Sequence, residues 1–584
     1  MYLFEISWEV CNKVGGINTV LSSKSRYVCN ELKKKYFLVG PYVKDKARGE
    51  FVQHSAPEFL KEIFERLKPL GIFCRFGKWL VPGEPNTILI EYEGFSYRND
   101  ELKKMYWEEF GIDSLGSAYH DYDIPMIWSS AAGALLREVE KSVDERVIAH
   151  CHEWLSAGTI LYLRSIESSV KTVFTTHATM LGRALTGESR ELYNELDKIN
   201  PEEEARKIGV VAKHHTEKAA AMHSDIFSTV SEITAIEAEK ILGKKPDLIL
   251  PNGIDESGKS VEELLIQHKL FRDRIRHFIT YFFFPYYSFD IEENLIFYIA
   301  ARYEFKGKGM DMLIDALSDL NRKLAEDKSE KTIIVLFLVP AGGTVIRETI
   351  VENKEAFNDI VESIQPEKSD IINRLTRAII SKRRICENAL LPKDVISDIR
   401  KKLHYFKKTG TPELVTHYLP NEQSDAILNK LKSCDLVNSE SSKVKVVFYP
   451  TYLTGTDGLI NLNYSETIIG CHLGIFPSIY EPWGYTPVES AIRSVPAITT
   501  DLAGFGNFLI NEKLEGEGIF VLRYFGKSYQ DRVKQLADSL YHFASLNRQK
   551  RIDYKIKARN TAAKVSWKEL VKNYFRAYEM LSGG

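Results

Sequence analysis

His472 to Glu489 reads HLGIFPSIYEPWGYTPVE. The first part, HLGIFPS, is a short apolar run of the kind that forms a buried strand, and the residues from Thr486 onward open a helix. Thr486 is a good N-cap, Pro487 suits the first helical position, and Glu489 sits three residues after the cap. The stretch is therefore a strand, a turn containing Gly484, and a helix start, with Glu481 on the strand side and Glu489 in the first helical turn. Open α/β sheets bind ligands where loops leave the carboxyl ends of strands. A helix N-terminus attracts phosphate through its free N–H groups and positive dipole end. Two carboxylates around such a turn suit a nucleotide diphosphate joined to a sugar. Thr486-x-x-Glu489 also reads as a capping box, in which Glu489 reaches back only to the backbone.

Outward from this turn the same pattern recurs. The chain opens with a strand, YLFEIS, a turn, KVGGIN (Lys13 to Asn18), an amphipathic helix, TVLSSKSRYVCNELKKKY, and a second strand, YFLVGPYV. NTILIEYEGF, RVIAHCHEW, KTVFTTHA, DIFSTVS and DLILPNG read as further strands, and the PNG turn (Pro251 to Gly253) closes a first domain. LIFYIAARY, TIIVLFLVPA, KVKVVFYP, HLGIFPS and PAITTD form a second set. Strands alternating with helices predict two α/β, doubly wound parallel units. Between Ile346 and about Ser442 lies a charged, helical insert, with Ile371, Leu375 and Ile379 on one face and Val395, Ile396, Ile399, Leu403 and Phe406 on another. These helices either pack on their own domain or project from it. VSWKELVKNYFRAYEML (Val565 to Leu581) is a final helix.

With 584 residues the chain predicts two to four domains. A net charge of -2 gives no electrostatic case for nucleic acid or an anionic membrane. The seven cysteines are scattered and never spaced C-x-x-C, which predicts reduced thiols in a cytoplasmic protein with neither a disulfide frame nor a zinc site. Glu5 and Glu9 interrupt the opening apolar run, against a signal peptide. FITYFFFPYYSF (Phe278 to Phe289) is too short to span a bilayer and is broken by Pro285.

HLGIFPSIYEPWGYTPVESAIRSVPAITTDLAGFG closely resembles the nucleotide-sugar site of glycogen synthases of the animal and fungal type, whose paired glutamates are here Glu481 and Glu489. FEISWEVCNKVGGINTVLSSKS, TTHATMLGR, STVSEITAIEAEKILGKKPDLILPNGID and VTHYLPNEQSDAILNKL extend the resemblance from about Phe4 to about Leu581. It implies the GT-B architecture: two Rossmann-like domains facing a cleft, with a helical insert in the second. The expected boundaries are 1–256 for the acceptor-side domain, 257–560 for the nucleotide-sugar domain with its insert at about 346–442, and 561–584 for a helix crossing back. The implied reaction is transfer of glucose from UDP-glucose to the non-reducing 4-OH of an α-1,4-glucan (glycogen or a malto-oligosaccharide primer) with retention of configuration. The implied partner is a second copy of the chain, bound through the insert, with a tetramer as one form. A nucleotide-sugar epimerase of the same fold, a phosphorylase and a non-catalytic glucan-binding subunit are the competing readings.

The resemblance also assigns roles. Arg302 and Lys308, in ARYEFKGKGMDM, clamp the diphosphate in place of a metal ion, so neither a metal nor another cofactor is expected. Read alone, they are a basic loop. His177 and Arg183, in FTTHATMLGR, lie near the glucose and the phosphates; by default a histidine ending a strand is a core residue. Lys13, Gly15 and Gly16 touch substrate, Asn18 stands where relatives carry an aromatic or histidine, and a lone GG is otherwise a tight turn. Tyr464 stacks on the base or is an ordinary helix-end tyrosine. Gly484, Tyr485, Thr486 and Asn252 complete the substrate set. His150 and His152, in HCHEW, suggest a metal by composition, but no third ligand is evident nearby, and an acceptor-side or packing role suits His152 and Glu153. His214 and His215 read as helical and structural. In LNRQKRIDYKIKARN, Arg548, Lys550, Arg551, Lys555, Lys557 and Arg559 match the arginine-rich helix that binds glucose 6-phosphate in relatives, with lysines in place of several arginines; a solvated basic helix is the alternative. The chain ends at Gly584 without a Ser-rich tail, which predicts no control by tail phosphorylation.

Overall fold

Uninterrupted apolar runs such as Ile333–Leu338 and Leu295–Ala300 form strands buried on both faces, as parallel strands covered by helices must be. The computed structural model describes residues 1–255 and 258–582. The first sheet comprises β1 (Tyr2–Ile6), β2 (Tyr36–Pro41), β3 (Phe51–Gln53), β4 (Phe73–Trp79), β5 (Asn86–Glu91), β6 (Val147–His152), β7 (Lys171–Thr176), β8 (Ile226–Thr229) and β9 (Leu248–Ile249). Their order is β3-β4-β5-β2-β1-β6-β7-β8-β9. The second comprises β10 (Leu295–Ala300), β11 (Ile333–Leu338), β12 (Val444–Tyr449), β13 (Leu473–Ile475), β14 (Ala497–Thr500) and β15 (Ile519–Leu522), in the order β12-β11-β10-β13-β14-β15.

All neighbours in the second sheet are parallel. In the first, β4 pairs antiparallel with both β3 and β5. Strand order reverses at β1/β6 in one sheet and at β10/β13 in the other, so the loops leaving those four strands open into the crevices that doubly wound sheets use for ligands. These loops carry KVGGIN, HEW, YEFKGK and YEPWGY.

Three long helices, Glu348–Ile364, Lys368–Ile380 and Lys393–Phe406, and a short one, Glu387–Leu390, fill the insert as far as Phe406. Beyond Phe406 the chain returns toward the sheet before Ser442. Val415 already bridges to Phe448 beside β12, and the Ala426–Ser433 helix caps on Asp425. Phe278, Ile279, Phe282 and Phe283 are buried on the Val261–Phe283 helix, which ends just before Pro285. Among the described residues no helix is long and apolar enough to cross a membrane.

The last helix, Trp567–Ser582, lies on the first domain. The Trp567 indole N–H donates to Ser23 Oγ at 2.7 Å, Tyr574 donates to the Leu250 carbonyl at 3.4 Å, and the Arg146 guanidinium reaches the Leu581 carbonyl at 2.6 Å. Beneath it, Lys24 pairs with Glu5 at 2.6 Å, both wholly buried. Tyr36 and Tyr578 donate to the same carboxylate at 2.5 and 3.1 Å, and the Lys24 ammonium lies 3.9 Å above the Tyr574 ring.

Candidate functional site

Glu481 leaves β13 in a loop held on both sides. Its carbonyl accepts the Gly504 N–H at 2.9 Å, and the Ile479 N–H reaches the Gly307 carbonyl in the loop after β10 at 3.0 Å. That second contact brings the two switch-point loops of the domain together. Gly309 follows, with φ +66, and a Cβ there would lie 2.2 Å from the Pro477 carbonyl oxygen, so only glycine fits. In consequence the Lys308 ammonium pairs with the Glu481 carboxylate. Arg302, in the same loop, is turned outward instead. It pairs with Glu304 at 3.0 Å, and its side chain is 73% exposed.

The helix beyond the turn starts at Tyr485, with Gly484 as its N-cap at φ 98, and no side chain caps it. The expected capping box from Thr486 to Glu489 is therefore absent, because a left-handed glycine makes the turn two residues earlier. Glu489 faces the cleft, where it accepts the Tyr464 hydroxyl at 3.3 Å. Burial raises the Glu489 carboxyl above the ordinary range, opposed by Arg493 and by Tyr464. Tyr464 is the first residue of a helix whose own capping box is Asn463 and Glu466.

A cavity of about 210 Å³ lies between Tyr485, Glu489, Ile492 and Arg493 of the second domain and Thr19, Ser23 and Gly253 of the first. Near it, the Tyr485 hydroxyl and Asn252 Oδ1 are buried without a hydrogen-bond partner among the described residues.

Across the cleft, KVGGIN is organised by Glu9, which the sequence reading passed over. Glu9 Oε2 accepts the Gly15 and Asn18 N–H groups at 2.8 and 2.9 Å, and the Asn18 amide donates to the Glu9 carbonyl at 2.9 Å. Asn18 is thus buried in the loop scaffold, while Lys13, Gly15 and Gly16 stay exposed. Glu153 has φ 64, an uncommon left-handed conformation for a residue with a side chain. Its carboxylate accepts the His177 N–H at 3.2 Å and faces Arg183 at 3.5 Å. Burial pushes the Glu153 carboxyl up to about 7, opposed by Arg183. His177 is buried with its Nε2 3.1 Å from His152 Nδ1; burial, then its histidine neighbours, hold it well below the usual imidazole range. Glu217 lies under the same loop, accepting Thr176 Oγ1 at 2.6 Å and the Met180 N–H at 2.7 Å, and burial raises it to about 8.

Glu5 supplies the third ligand missing from the HCHEW reading: one atom each of Glu5, His150 and His152 lie within 4.8 Å of one another. Here, however, Lys24 already neutralises the carboxylate, and His150 is engaged by Tyr578 at 2.9 Å and Thr175 at 2.7 Å. His152 Nε2 lies 3.6 Å from Glu5 and has no hydrogen-bond partner among the described residues, so the buried network is paired at Lys24 and His150 but not at His152. His214 and His215 lie on the Val211–His223 helix, where His215 accepts the Asp113 N–H and faces Glu202 at 2.7 Å.

The basic helix Arg548–Ala563 divides its charges. Arg548, Arg551 and Lys555 line a cavity of about 650 Å³ together with Arg272, Arg276, Lys331, His268 and His472, none of which the sequence reading had gathered. Lys550 is exposed outside it. Arg559 is turned to the carbonyls of Ile492 and Lys259, and Lys557 faces Glu517.

The glycogen synthase family profile matches residues 5–582. Liver glycogen (starch) synthase of Mus musculus is 32% identical over 584 residues, covering 99% of this chain and 82% of that protein. Glycogen (starch) synthase of Dictyostelium discoideum is 34% identical over 580 residues, 98% of this chain and 65% of that protein. The catalytic domain of starch synthase IV from Arabidopsis thaliana shares the fold, with a TM-score of 0.51 at 12% identity over 100% of this chain and 99% of that one. That fold is GT-B, and with the matched length and identity it places this chain in the glycogen synthase family of glycosyltransferases.

Proposed function

We propose that the chain transfers glucose from UDP-glucose to the non-reducing 4-OH of an α-1,4-glucan with retention of configuration. The observation that carries this reading is the Lys308–Glu481 pair beside the start of the Tyr485–Ile492 helix. In this scheme the helix start, Lys308, Arg183 and a reoriented Arg302 hold the diphosphate and meet its charge as the bond to glucose breaks. Glu481 orients the glucose hydroxyls and Glu489 the ribose, with Tyr464 against the base. The acceptor hydroxyl attacks the face that UDP leaves, and the departing phosphate oxygen takes its proton.

The 650 Å³ basic cavity suits a sugar phosphate as a second, regulatory ligand. Ile372, Ile379 and Ile380, more than half exposed on the Lys368–Ile380 helix, support assembly of copies through the insert. Seven unpaired cysteines fit a reducing, cytoplasmic compartment.

The test is incorporation of labelled glucose into glycogen from UDP-glucose and ADP-glucose, each with and without glucose 6-phosphate, with Glu481→Ala alongside. Incorporation from UDP-glucose that vanishes in the variant supports the assignment; incorporation from neither donor by folded protein refutes it.

A further inference from the structure

Glu237, on the Glu232–Leu242 helix of the first domain, is wholly buried and has no part in the chemistry proposed above. Four donors converge on its carboxylate. Three come from its own domain: the Thr179 N–H at 3.0 Å, the Thr179 hydroxyl at 2.6 Å and the Tyr193 hydroxyl at 3.1 Å. The fourth comes from the other domain, where the Tyr480 hydroxyl donates at 3.1 Å and the Tyr480 ring lies on that of Tyr193 with centroids 5.9 Å apart.

Tyr480 directly precedes Glu481. On the other side of Glu481, the Pro482 carbonyl accepts Ser231 Oγ, at the start of the same first-domain helix, at 2.7 Å. The residues flanking Glu481 are thus gripped by the first domain, while Glu481 itself is held by Lys308 within the second. Thr179 in turn caps the helix carrying Arg183, accepting the Gly182 N–H at 3.0 Å. One buried carboxylate therefore ties the segment bearing Arg183 to the segment bearing Glu481.

Parting the domains must break the Tyr480 bond and strip a donor from a buried acceptor, which is costly. We infer that Glu237 and Tyr480 act as positioning residues, forming a latch that sets Glu481 against Arg183 only when the cleft is shut and so directs the glucosyl group to the glucan rather than to water. This rests on the transfer reaction proposed above. In the competing hydrolysis the water oxygen bonds to C1, the C1–O bond to UDP breaks with its electron pair going to UDP, and a water proton ends on UDP, giving glucose and UDP.

The experiment compares Tyr480→Phe, Tyr193→Phe and the unaltered chain. UDP release and glucan labelling are measured together, and backbone hydrogen exchange is followed over 478–483 and 177–183. Both variants remove one hydroxyl from the same carboxylate, but only Tyr480→Phe cuts the bond between domains. It is expected to lower transfer kcat about tenfold, the effect of one hydrogen bond to a charged group, with KM for the donor little changed. It is also expected to raise UDP released per glucose incorporated and to speed exchange in both segments together. Tyr193→Phe should leave that ratio at the unaltered value. A Tyr480→Phe ratio and exchange equal to those of the unaltered chain, or an equal shift in Tyr193→Phe, overturns the latch. If the unaltered chain transfers no glucose, the functional reading has failed, and exchange alone decides: joint loss of protection in Tyr480→Phe supports the latch and its absence overturns it.

Discussion

The Tyr464 hydroxyl donates to Glu489 Oε2 across 3.3 Å, linking the first residue of one helix to the second turn of another. The bond makes Tyr464 and Glu489 one unit, and separates what the ring does from what the hydroxyl does. Tyr464→Phe keeps the ring and is expected to weaken donor affinity only a few-fold. Tyr464→Ala removes a stacking face worth about 1–3 kcal/mol per base. Titration calorimetry with UDP checks this, and equal losses in the two variants would remove the stacking role.

Lys308 and Glu481 neutralise each other. Glu481→Gln and Lys308→Met should each lower kcat by about 10²–10³, the scale of losing one preorganised electrostatic contact at a reacting centre. Thermal unfolding should change little for Glu481, whose side chain is 25% exposed. Near-normal kcat in either variant would contradict the proposed roles.

Glu217 predicts a pH signature in stability. Burial raises it from the ordinary glutamate range to about 8 in the folded chain. Between those limits the folded state holds a proton that the unfolded state has lost, so stability from this group falls as pH rises and levels off above about 8. Glu217→Gln lacks this titration. The gap in melting temperature between variant and unaltered chain should therefore move in the variant's favour from pH 5 to pH 8; parallel curves would show that Glu217 does not titrate in this range.

Lys555 sets the pH response of the basic cavity. Burial lowers its ammonium to about 7, with Arg272 and Arg551 adding to the effect. A phosphate monoester is already largely dianionic above pH 7, its second pKa being about 6. Affinity for glucose 6-phosphate should therefore fall between pH 7 and 8.5 as Lys555 loses its proton. Lys555→Met should bind more weakly and flatten that slope. Calorimetry across this range reads both, and a slope unchanged in the variant rules Lys555 out.

Trp567 is wholly buried where the returning helix meets the first domain, packed on Gly253 and bonded to Ser23. Trp567→Ala should cost about 3–5 kcal/mol, as large-to-small changes of buried aromatics do. Denaturant unfolding measures it, and a loss below about 1 kcal/mol would mean that the interface collapses around the gap.

Both sheets were legible in the sequence because their central strands are long apolar runs. The β3–β4 edge was not, because FCRFGKW sets the half-buried charges Arg75 and Lys78 among its apolar residues and loses the parallel-strand signature. The helix start at Tyr485 was misread by two residues because Thr-Pro imitates a cap and glycine in the left-handed region needs none. Glu217 and Glu237 escaped notice because each lies far in sequence from the motif it supports, and Glu9, only six residues from Gly15, because it sits in an apolar run rather than in the glycine turn. Their one local sign is a glutamate at an otherwise apolar position, as in EITAIEAEKIL, where Glu237 shares the buried set with Ile233, Ala238 and Ile241. The basic cavity was half visible: the Arg548–Ala563 helix announces its charge, but Arg272, Arg276, Lys331 and His472 come together only through tertiary packing.

Trp567–Ser582 has a consequence for how the chain is made. Tyr578 completes the hydrogen bonding of Glu5 and His150, Tyr574 covers Lys24, and Ser566 bridges to Ile254. A ribosome delivers the strands of the first domain long before it delivers these residues. Until then the nascent domain holds a charged pair beneath an uncovered apolar groove. The first domain to emerge is the last to be finished, and a prematurely terminated chain keeps that groove open as a mark by which chaperones and proteases can tell it from a complete one.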